Sequence, residues 1–231
     1  MLEVRDLHAW YGGSHVLRGV QFEVQPGEIV ALLGRNGSGR STVAKALMGL
    51  VEWSGSIQWQ GRSTYGLRPY QIARLALGYV PEHRDVFPTL TVQENLRLGR
   101  KPGRARAAWS FDDVYGMFPA LGERRGLRAG LLSGGEQQML SLSRTLMGDP
   151  ALVVVDEPCE GLAPQRVEQV AGFLGALRQK GVAVLLIEQK LAFGLSLSDR
   201  ALVLGDGRIV FDGAPGVLLE DEQLRREWLE V

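Results

Sequence analysis

Five short runs of almost uninterrupted apolar residues constrain this chain more than anything else in it. They are "EIVALLG" (28–34), "LGYVP" (77–81), "ALVVVDE" (151–157), "VAVLLIE" (182–188) and "ALVLG" (201–205). Each has strand length, and a strand that is apolar on both faces must be covered on both faces. Amphipathic or helix-forming stretches lie between several of them: "RSTVAKALMGL" (40–50), "SGGEQQMLSLSRTLMG" (133–148) and "APQRVEQVAGFLGALRQK" (163–180). Alternation of this kind predicts an α/β fold with a mainly parallel sheet.

The first residues follow another period. "LEVRDLHAWY" and "LRGVQFEVQPGE" alternate apolar and polar positions around "GGSH" and predict an N-terminal antiparallel β layer with one solvated face. From about 85 to 145 strand signals fade, and helices with loops are expected. The organisation that follows is a single domain over 1–231, with 1–84 and 146–231 as core and β layer and 85–145 as an inserted helical subdomain. "RKPGRARAAWS" (100–110) reads as an exposed basic connection. "PGVLLEDEQLRREWLEV" reads as one amphipathic helix with Leu224, Trp228 and Leu229 on or near one face.

The first apolar run leads into Gly34, Arg35, Asn36, Gly37, Ser38, Gly39, Arg40, Ser41 and Thr42, and a helix follows. A glycine-rich turn between strand and helix lets backbone N–H groups approach phosphate oxygens, and the helix adds its positive dipole end. Ser41 would place a hydroxyl on Mg²⁺. A plain strand-to-helix turn explains the glycines equally well when the loop is taken alone. The third run, "LVVVDEP", ends in two acids. If its end meets the glycine loop, Asp156 is aimed at Mg²⁺ and Glu157 can orient or deprotonate an attacking water.

Bulk properties exclude more than they assign. Lys+Arg and Asp+Glu are each 26, and this zero balance argues against a dedicated nucleic-acid binder. Only four of the 26 basic residues are lysines, so Arg40 partly reflects a chain-wide preference for arginine. The lone Cys159 precludes an internal disulfide and suits a reducing compartment. No secretory leader is apparent, and no stretch has the length of a membrane span. The expected location is the cytoplasm, where the chain could still dock onto a membrane protein.

"LLSGGEQQMLSLSRTLMGDPALVVVDEP" resembles the signature and carboxylate region of the ATP-binding cassette (ABC) ATPases, and the resemblance extends over nearly the whole chain. Gly161, Leu162 and Ala163 resemble the family's dimer-contacting D-loop, and Tyr11 its adenine-stacking aromatic. The resemblance implies ATP and Mg²⁺ as ligands. It implies a head-to-tail ATPase dimer in which Ser133, Gly134, Gly135 and Glu136 face the γ-phosphate held by the other subunit. A capped helix start also accounts for "SGGE" locally, but not for its occurrence beside the other motifs.

Three positions depart from the family pattern. Arg40 stands where lysine is usual, and the exchange is not conservative, because a planar fork replaces a point charge. Lys45 lies five positions further along the helix, about 500° around its axis, and is a poor substitute. Glu82 stands where glutamine usually contacts the metal and the attacking water; a carboxylate adds charge there. Gln189 stands where histidine usually contacts the γ-phosphate; it donates a hydrogen bond but carries no charge.

"VPE" and "IEQ" at these positions resemble the second ATPase of branched-chain amino acid uptake systems and its relative in urea and short-chain amide uptake. That resemblance implies an ATP-hydrolysing importer subunit with a similar but non-identical ATPase partner, two integral membrane permease subunits and an extracytoplasmic binding protein. Phe87 and Pro88 would then border the groove for the permeases. Two rivals remain: a regulatory subunit that binds ATP and hydrolyses it weakly, and a soluble ABC ATPase of DNA repair or translation. The second calls for a long coiled-coil insertion or two cassettes in tandem, and neither appears in these 231 residues.

Overall fold

The computed structural model describes residues 1–101 and 108–229. In chain order the strands are β1 (Leu2–Tyr11), β2 (Ser14–Val24), β3 (Ile29–Leu33), β4 (Glu52–Trp59), β5 (Arg62–Ser63), β6 (Leu77–Val80), β7 (Leu152–Asp156), β8 (Ala183–Ile187), β9 (Arg200–Gly205) and β10 (Arg208–Gly213). The α-helices are α1 (Arg40–Leu47), α2 (Pro69–Arg74), α3 (Val92–Gly99), α4 (Phe111–Met117), α5 (Pro119–Glu123), α6 (Gly134–Leu146), α7 (Pro164–Gln179), α8 (Leu191–Leu197), α9 (Pro215–Glu220) and α10 (Glu222–Trp228).

Among the described residues these strands form two sheets. One has four strands ordered β2-β1-β4-β5, and the other six ordered β10-β9-β3-β8-β7-β6. Every described pairing in the first is antiparallel. The second is parallel except for β10. All five positions of β3, β7 and β8 are buried, which is why their sequences run apolar without alternation. Each large aliphatic side chain buried this way contributes about 1.5–3 kcal/mol.

Two large apolar clusters lie on opposite faces of the parallel sheet. On one face Leu7, Val20 and Trp59 of the antiparallel layer pack with Val43, Leu47, Val154 and Leu185. On the other, Val114, Phe118 and Leu142 of the helical segment pack with Val153, Val155, Phe173 and Leu177. The helical stretch thus shares its core with the sheet it follows.

Three sequence expectations are corrected. The antiparallel layer has a strand the alternation did not reveal: β4 contains Ser54, Gly55 and Ser56, which interrupt its apolar pattern. Gly55 is required there, since its φ is +101° and a Cβ would lie 2.0 Å from the carbonyl oxygen of Asp6. The stretch from 215 is two helices rather than one. They part at Asp221, whose carboxylate caps α10 by accepting from Leu224 N at 2.9 Å. In the basic connection, residues 102–107 lie outside the described residues. Trp109 is buried, not exposed, with Lys180 Nζ 3.9 Å from its ring centroid. Arg100 similarly stacks on Phe111.

Candidate active site

Strand order decides what meets at the carboxyl ends of the parallel strands. β8 lies between β3 and β7, and Asp156 pairs in register with Ile187. The glycine loop after β3, the acids at the end of β7 and the segment after β8 therefore share one edge, where ligands settle in open α/β sheets. A cleft of about 490 Å³ opens there, lined by residues 35–42 with Val16, Glu82, Glu157, Glu160 and Gln189. Segments more than a hundred residues apart in sequence are thus brought to one cleft.

The loop is built to bring backbone close to a ligand. Gly37 and Gly39 have φ of +80° and +105°. Gly34 admits no side chain, because a Cβ would lie 2.5 Å from Leu204 O. Gly39 caps α1 without a side-chain hydrogen bond, and the first turn of α1 holds no acid. By contrast α3, α4 and α6 begin with complete capping boxes. Ser38 Oγ is buried without a hydrogen-bond partner among the described residues. An uncapped helix start beside an orphaned hydroxyl fits a phosphate group.

Asp156 is buried at the end of β7. Ser41 Oγ donates to its Oδ1 at 3.1 Å, and the Tyr79 hydroxyl lies 3.5 Å from Oδ2. Burial pushes the Asp156 carboxyl up to about 6; the nearby Glu157 and Glu82 push the same way, while the Ser41 bond and Lys45 oppose them. Burial and Asp156 also raise the Tyr79 phenol above its usual range. A hydroxyl and a carboxylate, with Glu82 on the same cleft, form an oxygen donor set suited to a hard divalent cation, which would also relieve the crowded negative charge.

Glu157 follows in the left-handed region, with φ +45°, and its N–H is held by Ile187 O at 2.9 Å. Its Oε1 accepts from Arg40 Nη2 at 2.6 Å. The Arg40 side chain is only 4% exposed. It also donates to Gly34 O, to Glu188 O at 3.3 Å and to Asn36 Oδ1 at 3.4 Å.

Gln189 lines the cleft beside a network its sequence did not announce. Glu188 is buried, and burial raises its carboxyl. The Cys159 thiol is bonded to it and is pushed up to about 12, chiefly by burial and then by the Glu188 charge. Lys190 Nζ donates to Cys159 O at 3.2 Å, so the segment after β8 is tied to the loop after β7. The signal for this was "IEQK", a charged cluster directly after a buried strand.

Tyr11 ends β1 and is half exposed, with Lys45 Nζ 5.8 Å from its ring centroid. It stands at the hairpin beside α1 rather than in the lining of the cleft. Ser133 to Glu136 stand apart from that lining too. Ser133 caps α6: Glu136 N lies 3.4 Å from its Oγ, and Glu136 Oε2 accepts from Ser133 N at 2.9 Å. Glu136 is buried and bonded to Arg124, so its carboxylate secures the helix start from within. Gly134 lies against the Arg84 guanidinium, and Gly135 against Arg166. Within one chain the signature and the phosphate cleft are separate surfaces.

Sequence reasoning also missed Asn95, which is fully buried. Its amide accepts from Phe87 N at 2.9 Å and donates to the carbonyls of Phe87, Leu90 and Thr91 at 3.0–3.3 Å. It thereby shapes the loop after Glu82. An asparagine in the apolar-facing row of a short helix was the available signal.

Comparison with known proteins gives concordant results. The family described as ABC transporter matches residues 17–160. The high-affinity branched-chain amino acid transport ATP-binding protein BraG of Pseudomonas aeruginosa is 42% identical over 231 residues, covering 99% of each chain. The probable branched-chain amino acid transport ATP-binding protein LivF of Archaeoglobus fulgidus is 33% identical, covering 98% of this chain and 97% of that one. The ribose import ATP-binding protein RbsA of Bacillus licheniformis is 31% identical, covering 90% of this chain and 44% of its own length. Among solved structures, a nucleotide-free ATP-binding cassette from an ABC transporter superposes with a TM-score of 0.83 over 96% of each chain at 24% identity, a likeness of fold.

Proposed function

Because the chain belongs to the ABC transporter family, as an ATP-hydrolysing subunit of an importer, we propose that it powers the uptake of branched-chain amino acids. The likeness to BraG across both full lengths carries that choice of substrate. The proposed complex contains a second, similar ATPase, two membrane-spanning permeases and an extracytoplasmic binding protein. The ATPases sit on the cytoplasmic face. Among the described residues no helix is long and apolar enough to cross a membrane, and in the proposed complex the permeases hold the ATPases in place. The cassette works as one domain, with 85–145 as its helical subdomain and the Phe87–Pro88 loop bordering the permease groove.

The convergence of Ser41, Asp156, Glu157 and Gln189 at one strand edge supports the following roles. Backbone N–H groups of residues 34–42 cradle the phosphates, and Tyr11 stacks on the base. Ser41, Asp156 and Glu82 would hold Mg²⁺, which supplies charge neutralisation on the phosphate oxygens. Glu157 accepts a proton from water as the water attacks the γ-phosphorus, and the bond to the bridging oxygen breaks to leave ADP and phosphate. Gln189 donates to a γ-phosphate oxygen. Ser133, Gly134 and Gly135 close over the γ-phosphate of the opposite subunit, with Glu136 fixing the start of their helix.

Vesicles containing the assembled complex test this reading. ATP-driven accumulation of leucine is expected, with phosphate release lost on Glu157→Gln. Accumulation of ribose, urea or a short-chain amide in place of leucine reassigns the substrate. Phosphate release that survives Glu157→Gln at this site sinks the catalytic assignment.

A further inference from the structure

Arg40 occupies the position from which a cation meets phosphate, yet its guanidinium is already satisfied by the chain. The two arms differ. Nη1 rests on two neutral carbonyl oxygens, Gly34 O and Glu188 O. Nη2 meets Asn36 Oδ1 and the Glu157 carboxylate, the latter at 2.6 Å. The pair is well shielded, with side-chain exposures of 4% and 15%. Both residues line the cleft that would receive the triphosphate.

One guanidinium therefore has two anionic claimants, a carboxylate and a phosphate, and Nη2 is the arm they contest. Guanidinium bonds strongly to either, and a planar fork can keep one arm anchored while the other changes partner, which a single ammonium cannot do. The Glu157 backbone is anchored by its N–H bond to Ile187 O, so the carboxylate is carried from a fixed point at the cleft.

We propose that Arg40 is a positioning residue that exchanges partners: without nucleotide it holds the Glu157 carboxylate, and the γ-phosphate of ATP draws it away, so that the base is freed only when there is a phosphoryl group to transfer. This rests on the reading of the cleft as an ATP site. It gives the arginine a task beyond binding: it ties the state of the base to occupancy of the loop.

The test is equilibrium binding of a non-hydrolysable ATP analogue, adenylyl imidodiphosphate, to the full chain. Glu157→Gln removes the competing charge and is expected to tighten binding about tenfold. When Arg40→Met is already present, the same change is expected to shift the dissociation constant less than about twofold. Equal tightening in both backgrounds means that loss of a nearby negative charge accounts for everything, and the exchange is overturned. Glu157→Asp gives an independent reading that leaves Arg40 intact. It keeps the charge but draws the carboxylate back by one methylene, so tightening supports the exchange and unchanged affinity overturns it. A chain that binds no analogue at millimolar concentration removes the nucleotide reading and the exchange together; one that binds normally without the coupling removes the exchange alone.

Discussion

Ser41 Oγ donates to Asp156 Oδ1 across 3.1 Å, joining two residues 115 positions apart in the chain. The hydroxyl comes from the first turn of α1 and the carboxylate from the last position of β7, with β8 between their strands. The bond sets a hydroxyl beside a buried carboxylate at the carboxyl edge of the sheet.

Ser41→Ala is expected to raise the Mg²⁺ concentration for half-maximal phosphate release by about 10–100-fold, and a chelator is expected to stop release altogether. A metal titration of the assembled transporter checks both. Phosphate release that proceeds in excess chelator contradicts the assignment of Ser41, Glu82 and Asp156.

Glu157→Gln is expected to slow turnover by about 10²–10⁴-fold while ATP remains bound. Single-turnover phosphate release, measured alongside nucleotide retention, separates lost chemistry from lost binding. A parallel fall in both points instead to a collapsed cleft.

Asn95→Ala is expected to cost about 1–3 kcal/mol, because the Phe87 N–H loses its acceptor, while the carbonyls of Phe87, Leu90 and Thr91 each keep a backbone donor. Urea unfolding measures the loss. Hydrogen exchange should show faster exchange at Phe87, and transport should fall more than ATP hydrolysis by the isolated chain. A change below about 0.5 kcal/mol, the range of ordinary surface substitutions, contradicts this account.

Cys159 is expected to resist alkylation at pH 8 until the protein is unfolded, since its buried thiol holds its proton up to about 12. The linkage has a definite sign. The folded state binds this proton more tightly than the unfolded chain does, so the thiol's contribution to stability is complete below about pH 8.5 and is lost as pH rises toward 12. Iodoacetamide labelling with and without urea checks the first statement. Comparing the pH dependence of unfolding for Cys159→Ser checks the second.

Legibility from sequence followed burial. β3, β7 and β8 announced themselves because strands covered on both faces admit almost nothing but apolar residues. β4 did not, because Gly55 answers to a backbone carbonyl of Asp6 rather than to a hydrophobic face. Asp221 looked like one polar residue in a helical run, and only its bond to Leu224 N identifies it as a cap. Trp109 sat in a basic stretch, and its burial depends on Lys180 and the apolar cluster with α7, which lie far further along the chain. The glycine loop and the carboxylates were legible one at a time, as motifs with local chemistry. Their meeting was not, because it depends on strand order. The pairing of Arg40 with Glu157, 117 positions away, had no local signal at all.

Arg35 Nη2 donates to Arg226 O at 2.8 Å, so a loop residue that lines the cleft also grips the backbone of α10. That helix is seated by Trp228 against Gly205, where even a methyl group would collide with the indole. The two contacts turn residues 222–229 into a strap buckled onto the phosphate loop. Nucleotide affinity and the integrity of that strap are consequently not independent variables: shortening, fusing or labelling the polypeptide at α10 alters one of the fastenings of the loop on which ATP would rest.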